Sequence, residues 1–91
     1  MSESKLDIKN VADAIALYNR FRSPEATARV LRFDEKELTL QFEGPFCSTC
    51  GFYDYLEDFA YELKQLVDVD PKIENVEEKA FQTFVVRYSV K

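Results

Sequence analysis

Two cysteines, Cys47 and Cys50, stand three residues apart in the segment Gly44-Pro45-Phe46-Cys47-Ser48-Thr49-Cys50-Gly51, and they are the only two in the chain. The spacing permits three kinds of chemistry. A CxxC loop entering a helix can carry thiol–disulfide exchange, because backbone N–H groups and the positive helix end stabilise a thiolate. Cys47 would then attack and Cys50 would resolve. The same pair supplies half of a four-thiolate metal or iron–sulfur site, which Cys47 and Cys50 of a second subunit would complete. Asp54 is a further oxygen donor nearby. The third reading is structural: a local disulfide over a short loop, or two unreactive thiols at a helix entry.

Other residues narrow the choice. The proline precedes Phe46 instead of lying between the cysteines, and Asp54, Glu57 and Asp58 bring negative charge that opposes a thiolate. Histidine is absent, which excludes imidazole acid–base catalysis. The chain has no phosphate-binding glycine loop and no nucleophile elbow. Glu74, Glu77 and Glu78 offer carboxylates for a cation, but without the spacing of an oxygen-ligand loop. Aromatic residues crowd the cysteine segment, and Phe46, Tyr53 and Tyr55 are the candidate interaction patch there.

These groups must be positioned by α and β elements whose periodicity is legible. Ile8 to Phe21 reads as a helix, with Ile8, Val11, Ile15 and Tyr18 on one face and Asp7 or Asn10 as its N-cap. Ser23, Pro24 and Ala26 allow one short helical turn before the next strand. Thr27–Phe33 and Glu37–Glu43 alternate as strands, and the brief connection Asp34-Glu35-Lys36 makes them an antiparallel hairpin. Phe52 to Val67 is the strongest helix, with an apolar stripe of Phe52, Leu56, Phe59, Ala60, Leu63, Leu66 and Val67. Its acidic side, Asp54, Glu57, Asp58 and Glu62, is a solvated face or a surface for a basic partner. Lys72–Glu78 reads as an irregular strand held by Ile73 and Val76. A turn near Lys79-Ala80 leads to a last strand, Phe81–Val90, with Phe84, Val86, Tyr88 and Val90 inward.

The expected fold is therefore α+β: helix–strand–strand–helix–strand–strand, a mainly antiparallel four-stranded sheet with both helices on one face. Residues 1–91 are expected to form a single domain, with residues 1–6 a flexible N-terminal lead. The αββ unit occurs twice in outline, so the halves could pack with approximate symmetry.

Twelve basic against seventeen acidic residues give a formal charge of −5, a field that disfavours nucleic acid and anionic membranes. Arg20, Arg22, Arg29 and Arg32 are too loosely spaced to reverse it. No apolar run approaches the roughly 20 residues that span a bilayer. With no hydrophobic signal region in Met1-Ser2-Glu3-Ser4-Lys5, an intracellular, cytoplasmic location is expected, and the composition is compatible with a thermophilic source. Taken together, the sequence is expected to be a noncatalytic interaction or assembly domain, homodimeric, without a cofactor and with an unidentified protein partner. The alternatives are a thiol–disulfide protein or a dimer-bridging metal or cluster site at Cys47 and Cys50.

Overall fold

A reciprocal pair of side chains starts the first helix. Asp7 accepts from the Asn10 backbone N–H at 2.9 Å, and the Asn10 side chain accepts from the Asp7 N–H at 3.0 Å. This capping box satisfies two amide donors that a helix start leaves unpartnered. The helix, α1, runs Ile8–Arg22. The computed structural model describes residues 6–23, 26–34, 36–45 and 52–90. Within them follow β1 (Thr27–Phe33), β2 (Glu37–Glu43), α2 (Phe52–Leu66), β3 (Lys72–Ala80) and β4 (Thr83–Ser89).

The four strands form one sheet in the order β1-β2-β4-β3, antiparallel at every junction. The fold is the α+β arrangement that the alternation and the helical stripes imply. Leu38, Leu40 and Phe42 of β2 and Val86 and Tyr88 of β4 are fully buried on one face. Both helices lie there, through Val11, Ala14 and Tyr18 of α1 and Leu56, Phe59 and Leu63 of α2. Each helix buries the same i, i+3, i+7 triplet. With Leu40 opposite Val86 at the middle of the sheet, the two αββ halves are related by an approximate twofold.

Rings hold the layers together. Tyr18 meets Phe42 edge-on at 5.5 Å between centroids, and Phe59 lies 5.8 Å from Tyr88, within the range where aromatic pairs attract. Both buried tyrosines keep their hydroxyls satisfied. Tyr18 donates to the Tyr55 carbonyl at 2.9 Å and Tyr88 to the Leu56 carbonyl at 2.6 Å. Arg22 lies over the Tyr18 ring and reaches Asp58 at 3.1 Å and Glu62 at 3.2 Å, tying the end of α1 to α2.

Several expectations are corrected. Leu6 is buried in the core and not part of a free lead. Ile8, expected on the core face, is 65% exposed, while Leu6 and Val11 on either side of it are buried. Leu66 of the α2 stripe is also exposed. Ser23 ends α1 in extended backbone, its N–H donating to the Asn19 carbonyl; the turn expected across Pro24 lies partly outside the described residues. The turn before β4 falls at Phe81-Gln82, not Lys79-Ala80, since β3 runs on to Ala80. Gln82 adopts a left-handed φ of 54° there, and Phe81 is left at the tip in solvent.

Truncating Leu40 to Ala should cost about 2–5 kcal/mol in urea unfolding, since the site lies under both halves and cannot collapse from one side. Burial pushes the Tyr88 phenol well above its ordinary value, and burial likewise raises Tyr18 against the opposing charge of Arg22. Native tyrosines thus hold protons that the unfolded chain releases above about pH 10, so stability is intact below that pH and falls as pH rises through it. Tyr88→Phe should flatten this alkaline loss in unfolding curves followed by circular dichroism.

Candidate functional site

A sheet of four strands has two edges, and this one treats them differently. Edges expose unpaired backbone N–H and C=O groups that template pairing unless they are covered. On β1 one outward residue, Ala28, is covered by a side chain. Asn19 of α1 donates its Nδ2 to the Ala28 carbonyl at 3.0 Å, and the Ala28 N–H donates to Asn19 Oδ1 at 2.7 Å. The amide thus mimics a strand residue. A register shift between Val30 and Arg32 disrupts the ladder further along.

Among the described residues β3 has no such cover. At the centre of the sheet Gly44 N–H donates to the Gln82 carbonyl and Val90 N–H to the Lys36 carbonyl. Antiparallel bonding alternates residue by residue, so Phe84, Val86 and Tyr88 turn their backbone toward β2. Thr83, Val85, Arg87 and Ser89 then turn theirs toward β3. The β3 residues opposite the first set, Ile73, Val76 and Glu78, consequently present their N–H and C=O to the open side. Among the described residues no hydrogen bond reaches them there. The position on α2 that matches Asn19, one residue past the last buried side chain, is Lys64. It sits 3.9 Å from Asp70 and reaches no strand backbone.

The helices differ in the same sense. α1 packs along β1, whereas α2 stands away from β3 and touches it sparsely. Between them lies an open groove of about 690 Å³, walled by Tyr53 and Glu57 and floored by Pro71, Ile73, Glu74 and Val76. Ile73 and Val76 rest partly on the core, and Tyr53 is 55% exposed. The groove is open along its length and follows an unpaired strand, a shape that suits an extended chain better than an enclosed small molecule.

Of the expected patch, Tyr53 borders this groove. Tyr55 is half-buried against the core and engaged through its carbonyl with Tyr18. Phe46, Cys47 and Cys50 lie outside the described residues. The disulfide and metal readings of Cys47 and Cys50 fall on those residues; among the described residues no group of three or more His, Cys, Asp or Glu side chains is placed to hold a metal ion. Among the described residues Asp54 belongs to no such group, and neither do Glu74, Glu77 and Glu78. The acidic face expected on α2 is also divided, because Asp58 and Glu62 are taken up by Arg22. The open edge is β3, since β4 is enclosed between β2 and β3. The sequence carried one trace of the covered edge, a polar Asn19 beside buried Tyr18. Nothing in its spacing identified Ala28 as its partner.

No described helix is long and apolar enough to cross a membrane. Comparison with protein-family models, curated proteins and solved structures finds no match to this chain.

Asn19→Ala should destabilise the fold by about 1–3 kcal/mol, because two backbone groups of Ala28 lose their only side-chain partner. Amide hydrogen exchange at Ala28 should accelerate more than at Val86, whose N–H faces β2 in the middle of the sheet.

Proposed function

We propose that this protein is a noncatalytic assembly domain that forms a homodimer by adding a strand at the β3 edge. One observation carries the reading: Asn19 satisfies the outward backbone of Ala28 on β1, whereas among the described residues no side chain reaches the outward backbone of Ile73, Val76 and Glu78 on β3, beside a groove. A fold that covers part of one edge with a dedicated amide and leaves the other exposed has a surface suited to main-chain pairing. Strand addition draws affinity from backbone hydrogen bonds and specificity from alternate side chains. Twofold dimers are the commonest closed assemblies, and pairing of identical edges terminates itself. The charges on β3, Lys72, Glu74, Glu77, Glu78 and Lys79, favour selective pairing over indiscriminate aggregation.

The reading is tested by sedimentation analysis of the reduced protein over a wide concentration range. A mass of two chains is expected at high concentration. A single chain persisting to about 1 mM, where even an interface worth about −4 kcal/mol would be half-formed, overturns it. Val76→Pro removes an outward N–H without touching the ladder to β4, a placement edge strands tolerate. This variant should retain the native circular dichroism spectrum and sediment as a monomer.

A further inference from the structure

We infer that the occupant of the open edge is β3 of a second copy, antiparallel, in the one register that sets Ile73 opposite Val76 and Lys72 opposite Glu77. The inference rests on the dimer proposed above and specifies how its chains meet. Antiparallel pairing requires outward-facing residues to oppose outward-facing residues. On β3 these are Ile73, Val76 and Glu78. Setting Val76 against Val76 of the second copy would, with Glu74 bulged out of the count, bring the Glu78 charge against apolar Ile73 and Lys72 against the Lys79-Ala80 bulge. Setting Val76 against Glu78 would bring Glu77 against Glu77. Like charges directly opposite one another are destabilising.

Ile73 against Val76 avoids both mismatches. Ile73 and Val76 lie on the helix-facing side, opposite Tyr88 and Val86, so the two apolar side chains meet at the groove floor beside Tyr53. Lys72 and Glu77 lie on the other side of the sheet, opposite Ser89 and Val85. They face each other as a pair without main-chain bonds between them, the kind in which side chains approach most closely. Twofold symmetry makes each contact occur twice. Both charges are solvent-accessible and make only local contacts, Lys72 to Asp70 at 3.4 Å and Glu77 to Lys79 at 3.2 Å. Glu74, the extra residue of the β3 bulge, falls with Asn75 at the symmetry axis.

Charge reversal tests the register by sedimentation and native mass spectrometry. Lys72→Glu alone and Glu77→Lys alone should each weaken the dimer about tenfold, because two attractive contacts become repulsive. Mixing the two variants should give mainly the mixed dimer, in which every contact is attractive again. The double variant Lys72→Glu/Glu77→Lys should recover the wild-type affinity within about twofold. The register is overturned if the single variants dimerise like wild type, if the mixture shows no preference, or if the double variant stays weak. A wild-type dimer that Val76→Pro disrupts but these reversals do not would leave edge pairing standing and reject only the register. A monomeric wild type would reject both.

Discussion

The ladder between β2 and β4 is the constraint on which the rest depends. It runs unbroken from Glu37 opposite Ser89 to Glu43 opposite Thr83, without the register shifts of the two outer junctions. Every fully buried strand side chain belongs to one of these two strands. The aromatic cluster of Tyr18, Phe42, Phe59 and Tyr88 draws one ring from each of α1, β2, α2 and β4, so the helices lock onto the seam where the halves join. Since each half alone would expose one face of its central strand, neither αββ unit buries its core without the other.

Approximate symmetry makes the departures from it informative. Corresponding helices bury corresponding triplets, yet only α1 sends an amide to its edge strand. On α2 the matching residue is a lysine, whose ammonium can donate but cannot accept, so it could not satisfy a strand N–H. The helix also stands off from β3, which gives Ile73 and Val76 a partly covered position instead of a buried one. A groove and an open backbone edge arise together from that displacement.

Much of this architecture was legible in the sequence. Strict alternation in Glu37–Glu43 and the i, i+3, i+7 spacing in Phe52–Leu66 report burial on one face, and burial on one face is what periodicity measures. The errors fall where burial is not periodic. Ile8 follows the helical spacing but is exposed beside buried Leu6 and Val11. The end of β3 is polar and exposed, so hydrophobic pattern could not place the turn at Phe81-Gln82. Asp58 and Glu62 look like solvated charges until Arg22, far away in the chain, is seen to reach them. The candidate site was the least legible part, because an open edge is a property of backbone pairing, and pairing partners are long-range information. Tyr53 was found through its neighbourhood, whereas Val76 was identified only as an anchor.

Charge decides what kind of site such an edge can be. An apolar, flat β3 would pair with any exposed strand, including its own unfolded relatives. Three glutamates and two lysines, spaced unevenly by two bulges, penalise most pairings and leave few registers without a like-charge or charge-on-apolar contact. Surface ion pairs add little affinity each, but a misplaced one costs a similar amount, so a row of them acts mainly as a filter. Affinity in such an arrangement must come from the backbone groups of Ile73, Val76 and Glu78 and from the apolar contact beneath Tyr53. The result would be an association that is selective and readily reversed, as suits a small domain whose own core does not depend on a partner.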